Sequence, residues 1–233
     1  MKNGIFDGKF KAITFSFDDG NLEDKPLIEI MNKYGLKGTF NLNSGLLNEN
    51  GGWNFKNLKT VKHLNFCDIG DLYNGHEIAG HSYNHPSLID LKHNDIVNQI
   101  ELDKKLLEFL FNQKIEGFAY PMGTFNEEIG DVLVENGIKY ARTTIPTLNF
   151  SLPEKHIFWN PTCHFRYENI EELAERFLKL TDENAVFYIW GHSYELLDEN
   201  DFEWFDNFCK KLSGREDIAY LTNIQVIDAI NRN

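Results

Sequence analysis

Apolar residues in this chain fall into short continuous runs, separated by stretches where they recur every three or four positions. The first run is Ala12 to Phe17, ending at Asp18-Asp19-Gly20. The spacing then predicts a helix over about Asp24 to Tyr34, with Pro26 in its first turn and Gly35 just past its end; both positions suit those residues. A second strand is expected at Gly38 to Leu42, followed by a long connection from Asn43 to about Asn74 that holds the turn cluster Asn48 to Gly52. Connections of that length in compact domains are usually functional or mobile.

The pattern continues with a strand at His76 to Gly80 and an amphipathic helix over about Lys92 to Phe111. Gly117 to Tyr120 reads as a strand, Glu127 to Glu135 as a helix, Lys139 to Thr144 as a strand and Ile157 to Trp159 as a short one. A helix over Ile170 to Leu180 precedes Ala185 to Trp190, the most apolar strand. A helix near Phe202 to Leu212, a strand at Ile218 to Leu221 and a C-terminal helical segment complete the chain. Strands that alternate with helices and are apolar throughout predict a parallel sheet covered on both faces, either open and doubly wound or closed as a barrel. Neither GxGxxG nor GxxxxGK[ST] follows the first strand, which removes the main support for dinucleotide or P-loop binding.

The 233 residues include 23 Lys+Arg and 36 Asp+Glu, a net charge of −13. That balance speaks against nucleic acid and anionic membrane as partners. Aromatic residues at 14% exclude a disordered chain. Cys67, Cys163 and Cys209 are too scattered for a disulfide framework or a zinc knuckle. Residues 1 to 10 lack an apolar signal region, and no apolar run reaches the roughly 18 residues of a membrane span. The expectation is a soluble, cytoplasmic protein forming one catalytic domain over residues 1–233.

The chemically useful residues follow strand ends, where α/β folds gather their catalytic groups. Asp18 and Asp19 follow the first strand, His81 and His85 the third, Pro121-Met122-Gly123 the fourth, and His192 the strand ending at Trp190. Spaced i, i+4 on one helical turn, His81 and His85 would face the same side and offer two nitrogens to one divalent ion. One of Asp18 and Asp19 can complete three protein ligands, leaving the other carboxylate free as a general base beside an activated water. His192 then suits the acid role. Zinc fits an Asp and two His best, with cobalt, nickel and manganese also able to bind.

Taken singly, these residues have plainer explanations. Asp18-Asp19-Gly20 also reads as a turn or helix cap, and lone histidines are usually structural. His63, His76, His93, His156 and His164 are read as structural for that reason. Glu195 is near enough in sequence to orient His192, but its loop setting points to a solvated carboxylate. Trp190 reads as core or pocket wall.

Together the segments resemble the polysaccharide deacetylases, the NodB homology domain of carbohydrate esterase family 4. Thr14-Phe15-Ser16-Phe17-Asp18-Asp19-Gly20 is similar to the first family motif, and Gly75 through His85 (GHEIAGHSYNH) to the second. Pro121-Met122-Gly123 looks like the third, and Val186 to Trp190 before His192 like the last. The resemblance spans about residues 11 to 195. It implies a distorted (β/α) barrel of about seven parallel strands, with Asp18 as base, Asp19, His81 and His85 as metal ligands, and His192 as acid. Tyr120, Pro121, Met122 and Trp190 would border the substrate, with backbone near Met122 stabilising the oxyanion. The implied reaction removes an acetyl group from an N- or O-acetylated carbohydrate. The rival readings are hydrolysis of a non-sugar C–N bond and a catalytically silent carbohydrate-binding domain that keeps the metal.

The chain departs from the family pattern in three places. Ala119 stands where many members carry an arginine, and Arg142 is a candidate replacement. Met122 replaces a common aromatic. The fourth motif has only Trp159 as a nearby candidate.

Overall fold

The computed structural model of the protein describes residues 4–49 and 51–232, so Asn50 of the expected turn cluster lies outside the described residues. The chain runs β1 (Lys11–Asp18), α1 (Asp24–Lys33), β2 (Gly38–Leu42), β3 (Trp53–Phe55), β4 (Lys59–Val61), α2 (Phe66–Ile69) and β5 (Glu77–Gly80). It continues through α3 (His93–Phe111), β6 (Gly117–Ala119), α4 (Glu127–Glu135), β7 (Tyr140–Arg142), β8 (Cys163–His164), α5 (Ile170–Leu178) and β9 (Ala185–Gly191). It ends with α6 (Glu199–Leu212), β10 (Ile218–Tyr220) and α7 (Asn223–Asn231).

The main sheet has the order β7-β6-β5-β2-β1-β9-β8, and every pairing in it is parallel. β1 is the axis. β9 runs along one of its edges from Lys11 to Phe17, while the other edge is shared, with β10 on Lys11–Ile13 and β2 on Phe15–Asp18. The outer strands are drawn together by the segment 159–165. Trp159 N donates to Ala141 O at 2.8 Å and Thr143 N to Trp159 O at 3.0 Å; further on, Thr162 N donates to Tyr188 O and Phe165 N to Trp190 O. The sheet thus curls into the distorted (β/α) barrel that the resemblance implies, and not the open sheet that the alternation also allowed.

Side chains alternate across a strand, and here the alternation separates two chemistries. Ile13, Phe15 and Phe17 of β1, Phe40 of β2 and Phe187 of β9 join the outward core, packed under Leu27 and Met31 of α1, Phe177 of α5 and Phe205 of α6. The opposite face holds Thr14, Ser16 and Asp18 of β1, Thr39 and Asn41 of β2, Glu77 of β5 and Arg142 of β7, all buried. α7 closes the floor beneath them: Val226 and Ile227 pack on Tyr140, Trp159 and Tyr188, and Asn223 accepts from Thr14 Oγ1 at 2.7 Å.

Several local expectations change. The long connection after β2 contains the antiparallel hairpin β3–β4 and α2; Lys56 and Asn57 at its tip are both left-handed, as a tight hairpin turn requires. The strand expected at Ile157–Trp159 is a 3₁₀ turn over His156–Phe158, leaving Trp159 in an isolated bridge to Arg142. The last long helix starts at Glu199 because Asp198 caps it, accepting from the amides of Asn200 and Asp201. Cys67, Cys163 and Cys209 are free. Among the described residues no helix is long and apolar enough to cross a membrane.

Glu77 ties the floor together, accepting from Thr39 Oγ1 (2.7 Å), Tyr140 OH (2.8 Å) and Ile224 N (2.9 Å). Burial nevertheless pushes its carboxyl up to about 7. Between the ordinary glutamate value of 4.5 and 7 the folded chain keeps a proton that the unfolded chain has released. This group's contribution to stability therefore falls as pH rises through that window, by about 3 kcal/mol in all. Melting temperatures of Glu77→Gln are expected to decline less than those of the parent between about pH 5 and pH 8. Equal declines would show that Glu77 stays ionised in the fold.

Candidate active site

The C-terminal ends of β1, β5, β6, β7 and β9 deliver their polar residues to one rim. Asp18, the last residue of β1, is buried inside it. Asp19 follows in a left-handed conformation, φ 79°, which turns the chain so that adjacent carboxylates serve different neighbours. Asp19 Oδ1 stands 3.5 Å from His81 Nε2 and 3.6 Å from His85 Nε2. Asp18 Oδ2 stands 3.9 Å from His81 Nε2 on one side and 3.9 Å from His192 Nε2 on the other.

His81 and His85 are not on a helical turn. They flank irregular chain in which Ser82 and His85 have φ of 67° and 58°. The two imidazoles meet through this bend, not through helical periodicity.

The donor set fits one divalent ion. The ligand atoms of Asp19, His81 and His85 lie within 4.8 Å of one another. Bonds of about 2.0–2.1 Å in tetrahedral array place ligand atoms about 3.3 Å apart, close to the 3.5 and 3.6 Å found. His81 Nδ1 lies 2.8 Å from Ala119 O. A carbonyl only accepts, so Nδ1 carries the hydrogen and Nε2 presents its lone pair to the site. Burial holds His81 down at about 4, which keeps the ring neutral and ready to ligate.

A second group, His164, His192 and Glu195, also draws its ligand atoms together. It is not a metal site of the same kind. His164 Nδ1 accepts from Arg166 N at 3.1 Å, so its Nε2 carries the hydrogen, and it lies 3.0 Å from Glu195 Oε2. Glu195 is therefore a held carboxylate instead of the solvated one expected, and it faces His192 Nδ1 at 3.7 Å. Burial works against a charged His192, but Glu195, Asp19 and Asp18 outweigh it and hold the imidazole above its ordinary value. Ser193 Oγ donates to Asp24 Oδ1 at 2.5 Å, anchoring the turn after His192 to the start of α1.

Arg142 answers the departure at Ala119. The two residues are register partners on β6 and β7, so the cation comes from the neighbouring strand at the same height. Its guanidinium, fully buried, bonds Asp18 Oδ2 and lies 4.3 Å from the Trp190 ring centroid. Asn41 Nδ2 donates to Asp18 Oδ1 at 2.8 Å. Burial would raise the Asp18 carboxyl, yet Arg142, His81, His192 and the Asn41 hydrogen bond together hold it below the usual carboxylate value.

A cavity of about 310 Å³ opens over the ligands, lined by Asp19, Leu46, Trp53, His63, His85, Met122 and Tyr194. Met122, left-handed and exposed, fits its expected place. Tyr120 does not reach the cavity with its side chain: the ring is buried beside Phe125 and Phe158, and its hydroxyl donates to Ile157 O. Pro121 is buried, and Trp190 supports Arg142 without lining the cavity.

Sequence reasoning missed Leu46, Trp53 and Tyr194 and set His63 aside. His63 Nδ1 lies 3.0 Å from Asp19 O, and Tyr194 packs against Trp53, Phe55 and His192. The period-two pattern of Trp53, Phe55 and Val61 around a Lys-Asn turn was the available signal for the hairpin.

A curled parallel sheet with carboxylates and histidines gathered at its strand ends defines a (β/α) barrel protein. Within that class the chain belongs to the polysaccharide deacetylase family, whose sequence model matches residues 7–141. The match takes in Asp18, Asp19, His81, His85 and Met122 and stops one residue short of Arg142. YlxY of Bacillus subtilis (strain 168) is 28% identical over 134 residues, 58% of this chain and 38% of YlxY. The chain spans less than half the length of the curated relatives it matches.

Among solved structures, a Mycobacterium smegmatis protein assigned as a polysaccharide deacetylase has a TM-score of 0.69 at 16% identity, covering 97% of this chain and 92% of that one. BA3943 of Bacillus anthracis, a pseudoenzyme of carbohydrate esterase family 4, has a TM-score of 0.58 at 17% identity, covering 95% and 66%. These likenesses show the fold.

Arg142→Met would leave the Asp18 carboxylate buried without its cation. Such a change is expected to cost about 3–5 kcal/mol in urea unfolding. Adding Asp18→Asn to Arg142→Met should restore most of the loss. A double variant no more stable than the single one would show that Arg142 acts through something other than Asp18.

Proposed function

We propose that this protein is a divalent-metal-dependent deacetylase that hydrolyses the acetyl group of an N- or O-acetylated carbohydrate. The observation that carries the reading is the placement of Asp18 and His192, next to each other, beside the Asp19–His81–His85 set. Asp18 Oδ2 stands 3.9 Å from both His81 Nε2 and His192 Nε2. Membership of the polysaccharide deacetylase family supports it.

Asp19, His81 and His85 would hold the ion, zinc by preference with cobalt, nickel or manganese as substitutes. When bound, the ion polarises an acyl carbonyl and makes water easier to deprotonate. Asp18, ionised and oriented by Arg142 and Asn41, accepts the proton of the attacking water. The backbone near Met122 would donate to the developing oxyanion. His192, whose carboxylate neighbours favour its protonated form, gives its proton to the departing amine or alcohol. Trp53 and Tyr194 are among the residues lining the cavity, whose volume of about 310 Å³ suits a sugar-sized group. That volume is at the low end of the about 300–1,000 Å³ typical of ligand pockets.

The test is acetate release from a panel of N-acetyl and O-acetyl sugars, using protein stripped with EDTA and reloaded with Zn, Co, Ni or Mn. Activity is expected to return with metal. Asp18→Asn should retain the ion and lose about 10²–10⁴-fold in kcat, whereas His81→Ala should lose the ion as well. Stoichiometric metal binding without acetate release on any sugar would overturn the deacetylase reading. It would favour a silent domain, or, if amides or ureides are cleaved instead, a different C–N hydrolase.

A further inference from the structure

The two histidines proposed to ligate the ion hang on chain without regular structure. Buried irregular backbone must find partners for its N–H and C=O groups, and here two side chains provide them. Asp103, on α3, accepts from His81 N at Oδ2 (2.9 Å) and from Ser44 N at Oδ1 (2.8 Å). Asn43, just beyond β2, donates from Nδ2 to His81 O (2.5 Å) and Ser82 O (2.8 Å). Both carbonyls of the His81–Ser82 pair are thus gripped by Asn43, and the His81 amide is shared between Asp103 and Leu42 O (3.1 Å). Asn43 and Asp103 are themselves fully buried, at 0% and 1% exposure.

The arrangement is costly, which argues for a purpose. Asp103 interrupts the buried stripe of α3, between Ile100 and Leu107, where an apolar residue would pack without desolvating a carboxyl. Close approach is also built in. A Cβ at Gly80 would stand 3.1 Å from Asp103 Oδ2, and one at Gly45 would stand 2.6 Å from Tyr83 O.

We propose that Asn43 and Asp103 are positioning residues for the ion-binding segment. They hold His81–Ser82 in its left-handed bend, so that His81 and His85 already face Asp19 before an ion arrives. Without them, the ordering of that bend would be charged against binding. The inference rests on Asp19, His81 and His85 being the ligands.

Two variants test it. Asp103→Asn keeps the volume but turns an amide N–H toward a backbone N–H. Asn43→Ser shortens the donor and leaves Asp103 in place, so it carries the test if Asp103→Asn does not fold. Each folded variant is expected to bind Zn²⁺ about 10–100-fold more weakly in competition with a chromophoric chelator. Each should also shift the visible absorption bands of the Co²⁺-loaded protein. Leu107→Ala, one turn further along α3, should lower the melting temperature without moving those bands. Folded variants with parental Zn²⁺ affinity and an unchanged Co²⁺ spectrum would overturn the proposal and leave the ligand assignment standing. Failure of the parent itself to bind either ion would overturn both.

Discussion

The guanidinium of Arg142 lies wholly inside the barrel, with the Asp18 carboxylate as its counter-charge and the Trp190 ring against its face. Two buried charges are tolerated only when paired and further hydrogen-bonded; Asp18 meets that condition, whereas Arg142 bonds through Nη2 alone and leaves Nε and Nη1 without a hydrogen-bond partner. Asn41 bonds Asp18 on its other oxygen and also donates to Ser16 Oγ. Ala119, the register partner of Arg142, carries a methyl group where a long side chain would compete for the same space. Asp18 is therefore fixed from two sides. The left-handed turn at Asp19, the approach of His81 and the placement of His192 are all organised around it.

The same pair explains why the sheet is apolar on one face and polar on the other. The outward face needs only volume, and phenylalanines from β1, β2 and β9 fill it beneath the helices. The inward face holds a column of bonded polar groups, from Glu77 and Asn223 at the floor to Asp18 at the rim. Most members spend their hydrogen-bonding capacity on their neighbours, with Asn41 Oδ1 and two Arg142 nitrogens left without partners. The floor thereby bears on the chemistry at the rim: Tyr188, which receives from Asn223, belongs to β9, and that strand leads directly to His192.

The sequence was most informative where chemistry and strand ends coincide. Alternating runs located the strands of the sheet, and Asp18-Asp19, His81, His85 and His192 were legible because each follows such a run. What it hid depends on distance in space. That Arg142 replaces the cation missing at Ala119 follows from strand register, which leaves no local mark. Glu195 looks like a loop carboxylate until His164, thirty-one residues earlier, is seen against it. The His81–His85 spacing matched a helix, but two left-handed residues bring the rings together instead. The β3–β4 hairpin was obscured by the turn residues around it, and with it Trp53 and the cavity wall.

One topological detail bears on how the molecule is made. The first strand leaves its Lys11–Ile13 edge for β10 and its whole opposite edge for β9. A ribosome releasing this chain from its N-terminus has therefore delivered Asp18 long before the strands that flank it exist. Pairings of such long sequence separation close slowly, and domains of this size commonly pass through collapsed intermediates. The nascent β1, rich in phenylalanine, keeps one edge open until β9, residues 185–191, has been made.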